Sequence, residues 1–193
     1  MWLGSSSIRP VPAYARLGQA ALDQVREELL LLSEESEDSL DEAFSGFERQ
    51  QPAVYGLVSE ILEGPVGETT QALGYFVSLA IWLAFEQRHG RALKEVSQSE
   101  LAATAELLDF DAELRDQQQT PNLATDDIVF IQQPDIMQFV VEQIESTMES
   151  AGTEIAEQEL KSIYRMLLIE VLSLSYAVEA PAGFPLSRSE VQA

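Results

Sequence analysis

The chain has 193 residues, with 33 acids against 11 bases and a formal net charge of -22 at pH 7. Such a surface repels phosphate backbones and anionic lipid headgroups, so binding to nucleic acid or to a membrane is disfavoured. The hydrophobic content of 46% is sufficient for a sizeable core, and we expect residues 1–193 to form a single domain. Because cysteine is absent, disulfides, thiolate metal sites and cysteine nucleophiles are excluded.

No targeting segment is indicated by the sequence. The N-terminal residues lack the basic stretch followed by an apolar run that is typical of a signal peptide. The longest apolar stretch, residues 72–85, is shorter than the roughly 20 residues that a membrane-spanning helix needs. We therefore expect a cytoplasmic protein.

The first third of the chain predicts two helices joined by an acidic segment. Apolar residues recur three and four positions apart over residues 12–32, which predicts an amphipathic helix. Residues 33–42 are almost entirely Ser, Glu and Asp, and we interpret them as an acidic linker or as a frayed helix end that runs into a new helix start. A short helix over residues 40–47 follows.

The next two helices form a pair with a buried second member. Pro52 suits the first position of a helix, where its missing N–H would be unpaired in any case. Residues 69–88 are apolar on nearly every side, which is typical of a central helix. Gly90 is placed to end that helix in a left-handed conformation.

The second half of the chain repeats this arrangement with one ambiguity. Residues 116–127 read as a loop. Residues 128–131 are short and β-branched and could form a strand, although no partner strand is evident. Residues 181–193 are expected to be a flexible tail. Three further helices are predicted over residues 97–114, 134–148 and 154–178.

An internal repeat is the most informative pattern in the chain. The tripeptide Gln50-Gln51-Pro52 recurs as Gln132-Gln133-Pro134, and each copy continues with apolar residues at helical spacing and then Glu-x-x-Glu. The copies of the helix pair cover residues 40–90 and 125–180. We therefore predict an all-α fold, an irregular helical bundle of about six or seven helices with an internal helix-pair repeat, in which the two long apolar helices are neighbours.

A metal site is the most specific chemical hypothesis. Four-helix carboxylate proteins combine Glu-x-x-His motifs with single glutamates, and Glu86-Gln87-Arg88-His89 supplies one such motif. Two Glu-x-x-Glu pairs, Glu60/Glu63 and Glu142/Glu145, could add hard oxygen ligands. However, His89 is the only histidine in the chain, so a bundle that binds a divalent metal is the alternative and not the leading prediction.

The sequence gives little sign of catalysis. It contains neither a Gly-x-Ser-x-Gly elbow nor a glycine-rich phosphate loop, and hydrolysis by carboxylates alone would leave no recognisable motif in so acidic a chain. The one basic cluster, Arg88, His89, Arg91 and Lys94, suits a helix C-terminus. It could also bind a small anion or dock the acidic residues 33–42.

We therefore predict a non-enzymatic, acidic helical interaction protein that acts as an adaptor, a chaperone-like binder or a neutralising partner. Its acidic surface would steer a protein with a basic surface toward an apolar groove. No cofactor or metal is expected in this function, and a homodimer remains possible. The predicted partner-binding residues are the acids of the linker and of the two repeated helices: Glu34, Glu35, Glu37, Asp38, Asp41, Glu42, Glu60, Glu63, Glu142 and Glu145.

Overall fold

The computed structural model describes residues 7–35, 37–117, 124–151 and 155–184, and describes residues 33–35, 37–38, 116–117 and 151 by their backbone only. The predicted all-α fold is confirmed, because the described residues form eight α-helices and no β-strand. The helices are α1 (Gln19–Glu35), α2 (Glu37–Gln50), α3 (Pro52–Leu62), α4 (Glu68–His89), α5 (Gln98–Gln117), α6 (Thr125–Gln132), α7 (Pro134–Ala151) and α8 (Glu157–Ala177).

The helix missing from the prediction is α6. The strand considered for residues 128–131 was wrong, since this segment lies within α6. The Asp127 carboxylate accepts the backbone N–H of Ala124 at 2.7 Å and so caps the start of the helix. Ile128 and Val129 are buried against the bundle. Tertiary packing has therefore overridden the β-propensity of these residues.

The acidic residues 33–42 are helical on both sides of residue 36, with α1 ending at Glu35 and α2 beginning at Glu37. Residues 33–35 therefore belong to the end of α1, and residues 37–42 belong to the start of α2. The predicted tail falls largely outside the described residues. Its described part, residues 181–184, includes Phe184, whose ring packs edge-on against Tyr14 with 5.0 Å between the ring centroids.

The two long helices α4 and α8 pack against each other at the centre of the bundle, as predicted. They run parallel, because Thr70 near the start of α4 donates to Glu159 near the start of α8 at 2.7 Å, while Leu93 pairs with Val178 beyond their ends. Trp82 of α4 and Leu168 of α8 belong to one buried apolar cluster. Each fully buried large apolar side chain in such a cluster stabilises the fold by about 1.5–3 kcal/mol.

Two glutamine side chains, each directly before a helix, hold another segment of the chain by hydrogen bonds to its backbone. Gln51 precedes α3 with φ -135° and ψ 60°. Its amide nitrogen donates to the carbonyl of Lys94 at 2.9 Å, and its amide oxygen accepts the N–H of Val96 at 2.8 Å. In this arrangement, a buried side-chain amide binds the C=O of one residue and the N–H of the residue two positions later. We call it an amide bracket.

Gln133 precedes α7 with nearly the same backbone, φ -131° and ψ 63°, and forms the second amide bracket. It donates to the carbonyl of Ala15 at 3.1 Å and accepts the N–H of Leu17 at 3.1 Å. A further bond runs from its amide nitrogen to the Ser175 hydroxyl at 2.8 Å. The internal repeat remains a prediction, and the two matching brackets support it.

The second bracket also explains why α1 begins later than predicted. The sequence pattern predicts a helix from residue 12, but α1 begins at Gln19. Because Gln133 holds Ala15 and Leu17 by their backbones, this segment cannot join the α1 hydrogen-bond ladder, and only a 3₁₀ turn forms at Ala13–Ala15. None of the described helices combines the length and apolarity required to cross a bilayer.

Candidate interaction surface

Helices α1 and α7 lie side by side on the surface of the bundle. The N–H of Gln19 donates to Asp135 at 3.0 Å, and Arg26 forms an ion pair with Glu142 at 3.3 Å. Both contacts join residues 116 positions apart. The two helices therefore run in the same direction with a constant register.

The exposed side of this helix pair combines acidic and apolar residues. Leu30 and Leu31 of α1 are each 59% exposed, and Met148 of α7 is 45% exposed. Helix α7 contains no base, and the charge of Arg26 on α1 is paired with Glu142. We call this surface the α1–α7 face, and its exposed residues are Asp23, Glu27, Leu30, Leu31, Glu142, Glu145, Met148 and Glu149.

The predicted partner-binding acids are distributed over four helices, with Glu34 and Glu35 on α1. Asp41 and Glu42 lie on α2, Glu60 lies on α3 with Glu63 directly after it, and the remaining pair lies on α7; all are exposed. The side chains of four predicted members, Glu34, Glu35, Glu37 and Asp38, lie outside the described residues. Of the two repeated Glu-x-x-Glu pairs, only Glu142/Glu145 shares a helix with an exposed large apolar residue, namely Met148.

The geometry that the metal alternative requires is not present in the described part of the chain. The glutamates of both Glu-x-x-Glu pairs face solvent and do not point into the bundle. Glu86 and His89 lie at the end of α4, half-buried. No group of three or more His, Asp or Glu side chains among the described residues could hold a metal ion.

The basic cluster lies at the end of α4, whereas the acidic residues 33–35 and 37–42 lie at the end of α1 and the start of α2. Along α2, Phe44 packs against Tyr75 and Phe47 stacks on Trp82, so α2 runs in the same direction as α4. The acidic residues before Phe44 are therefore near the start of α4, while the basic cluster lies at its end. Glu28 of α1, five residues before the acidic segment, accepts a hydrogen bond from Gln87 beside the basic cluster, so docking of residues 33–42 on this cluster stays a prediction.

One acid that the sequence pattern did not single out is buried in the core. Glu170 of α8 is 0% exposed, and neither of its carboxyl oxygens has a hydrogen-bond partner of normal geometry among the described residues. Burial raises the pKa of Glu170 well above its usual range, and the nearby Ser78 hydroxyl opposes this only in part. The signal in the sequence was a single acid within the apolar run of α8.

Two other acids, Glu100 and Glu159, have pKa values that are lowered instead of raised. Hydrogen bonds from Ser97 lower the pKa of Glu100, which caps α5. Hydrogen bonds from Thr70 and Gly67 lower the pKa of Glu159, which joins the starts of α4 and α8. Both carboxylates have structural roles, because each satisfies donors at the start of a helix.

Comparison of the chain with known proteins gives no matching family model, no similar curated protein and no similar solved structure.

Proposed function

We propose that the protein is a non-enzymatic interaction protein whose α1–α7 face binds a basic surface of another protein. The observation that supports this is the presence of exposed apolar residues on two parallel helices whose exposed charges are otherwise acidic. Leu30 and Leu31 are both largely exposed. Two adjacent leucines that remain in water contribute little to the stability of the folded chain itself. A partner that covers them would gain their burial.

The expected mode of binding is electrostatic attraction followed by apolar contact. The acids of the α1–α7 face would increase the rate of encounter with a cationic partner. Covering the two leucines would supply about 1.5–3 kcal/mol for each side chain that becomes fully buried. An amphipathic helix with basic and apolar positions at three- and four-residue spacing has the matching chemistry.

The experiment compares two triple variants with the same change in net charge. Glu142→Gln, Glu145→Gln and Glu149→Gln neutralise the α7 side of the face, while Glu60→Gln, Glu63→Gln and Glu68→Gln neutralise a separate acidic surface. Each protein is used for affinity purification from the native host at low and high salt, with quantitative mass spectrometry of the partners.

The proposal predicts a basic partner whose recovery falls about tenfold or more with the α7 variant and at high salt, since surface charge pairs are strongly screened by salt. The second triple variant should retain the partner. Equal loss with both variants would show that only net charge matters, and would contradict a role for this particular face.

The apolar part of the proposal has its own test. Leu30→Ser with Leu31→Ser leaves the charge unchanged and should weaken binding by about tenfold or more, because burial of each leucine is lost. Self-association through the same face, the predicted alternative of a homodimer, would appear as a concentration-dependent dimer in sedimentation that this double variant abolishes. Unchanged affinity of the double variant for the recovered partner would exclude the leucines from the interface.

A further inference from the structure

A cavity of about 560 Å³ opens where α4 and α8 end. Its volume lies within the range that small-molecule sites usually have, about 300–1,000 Å³. Three segments line it, namely the turn before α1, the end of α4 and the chain that follows α8. The lining residues include Tyr14, Arg88, His89, Arg91 and Pro181.

The walls of this cavity are held by backbone hydrogen bonds. The N–H of Lys94 donates to the carbonyl of Ala177 at 3.0 Å, and the N–H of Glu179 donates to the carbonyl of Ala92 at 2.8 Å. These bonds lie on either side of the pairing of Leu93 with Val178, and so join the segments that follow α4 and α8. The cavity is therefore formed by ordered segments that are fixed to the core.

The charge of the cavity is opposite to that of the molecule. Arg88 and Arg91 line the cavity, are exposed, and have no ion-pair partner within the described part of the chain. Glu179 is the one acid among the lining residues, and it pairs with Lys94 at 3.1 Å. In a chain with 33 acids, two neighbouring arginines without a described carboxylate partner are unexpected.

His89 contributes to the wall without adding charge. Burial lowers the pKa of His89, the neighbouring Arg88 lowers it further, and the Ala15 carbonyl opposes the shift. The imidazole is therefore neutral at pH 7, and its ring lies against Phe85 with 5.9 Å between the centroids. The positive charge in the cavity comes from the two guanidinium groups.

The helix dipole explains only part of this cluster. Arg88 and His89 are in the last turn of α4, where cations are favoured. Arg91 lies beyond the helix in the 3₁₀ turn Gly90–Ala92, yet it lines the same cavity as Arg88. A role at the helix terminus therefore does not account for Arg91.

The geometry points to a binding site for a small organic anion, in which Arg88 and Arg91 bind a carboxylate or phosphate group and the apolar wall of the cavity contacts the rest of the molecule. Guanidinium groups bind both kinds of anion with two hydrogen bonds each. The apolar part of the wall comes from Tyr14, Val178 and the segment around Pro181.

The net charge of the whole chain does not prevent such binding. At physiological ionic strength the Debye length is about 8 Å, so most of the acids of this chain are screened from the cavity by salt. The acid among the lining residues, Glu179, forms an ion pair with Lys94. The local field is therefore set mainly by the two arginines.

The test titrates the full chain with phenyl phosphate, benzoate and inorganic phosphate at constant ionic strength, with binding followed by calorimetry and by NMR chemical shifts. We expect saturable binding of at least one aromatic anion, and shifts in the amides around Arg91 and Val178. Stronger binding of phenyl phosphate would identify phosphate as the favoured group, and stronger binding of benzoate would identify carboxylate. Absence of saturation with all three probes below about 10 mM would overturn the proposal, since a weaker Kd corresponds to less than about 3 kcal/mol of binding free energy.

The variants Arg88→Gln and Arg91→Gln should each weaken binding by about tenfold or more, because each removes charge-assisted hydrogen bonds. Arg49→Gln is the matched control, since Arg49 is exposed at the end of α2 and does not line the cavity. An equal loss with Arg49→Gln would show that the probes respond to net charge alone. These variants leave the α1–α7 face unchanged, so failure of this site and failure of the proposed function are distinguishable.

Discussion

The two halves of the molecule, α1–α4 and α5–α8, each contain one amide bracket. In each half, a glutamine before a proline-started helix uses its amide to hold the chain that enters the other half. Gln51 holds Lys94 and Val96, which precede α5, and Gln133 holds Ala15 and Leu17, which precede α1. The start of each half is therefore fixed by the other half.

The halves differ in two respects. Gln133 has a third partner, the Ser175 hydroxyl, whereas Gln51 has none of this kind among the described residues. In addition, α8 buries a carboxyl group at Glu170, while the buried residues of α4 include no acid. Matching backbone geometry is therefore kept in the two halves, although the polar content of the core differs.

Substitution of the second bracket should have the largest effect. Gln133→Ala would leave the Ala15 carbonyl and the Leu17 N–H buried without their partner, and would remove the donor to Ser175. Since each unsatisfied buried group costs about 1–3 kcal/mol, we expect a loss of about 3–5 kcal/mol in the free energy of unfolding. Urea denaturation measures it, and Gln138→Ala, at an exposed position of α7, should change stability by less than about 0.5 kcal/mol.

Loss of the first bracket should lower the free energy of unfolding less than loss of the second, because the first contains one hydrogen bond fewer. Gln51→Ala removes two partners, so we expect a loss of about 2–4 kcal/mol, smaller than that of Gln133→Ala under the same conditions. The variant Ser175→Ala would account for the difference between them. An equal or larger loss for Gln51→Ala would mean that the bond to Ser175 adds nothing to stability.

The elements that local patterns determine were predictable from the sequence. Pro52 and Pro134 each begin a helix as expected, because proline at the first helical position forfeits no hydrogen bond. The central position of α4 followed from a helix that is apolar on nearly every side. The exposure of Glu142 and Glu145 followed from helical spacing, since Val140 and Ile144 of the same helix are buried.

Features that depend on distant partners were not predictable. The start of α1 is set by Gln133, which is 116 residues from Leu17, and no local pattern reveals such a bond. The pairing of α1 with α7, which forms the proposed binding face, likewise depends on tertiary packing. Glu170 did leave a signal, a single acid within an apolar run, but acids are so frequent in this chain that it was not singled out.

Of the three sites, Glu170 should have the smallest effect on stability, and its effect should depend on pH. Burial raises the pKa of Glu170 in the folded state, so the folded protein retains this proton while the unfolded chain loses it above the ordinary value of 4.5. Stability therefore falls as pH rises from about 4.5 toward the folded-state pKa, by at most about 1.4 kcal/mol per pH unit for this group. Below that window the effect is absent, because both states are protonated.

Glu170→Gln should remove this dependence. The variant keeps the shape of the side chain but has no proton to lose, so we expect it to equal the parent chain in stability near pH 4 and to exceed it increasingly above about pH 4.5, by at most about 1.4 kcal/mol per pH unit. The difference between the two proteins at each pH cancels the repulsion among the other acids. Glu106→Gln, at an exposed position of α5, should show no such divergence. A constant difference between Glu170→Gln and the parent across this range would mean that Glu170 ionises in the folded core, with a partner that compensates its charge.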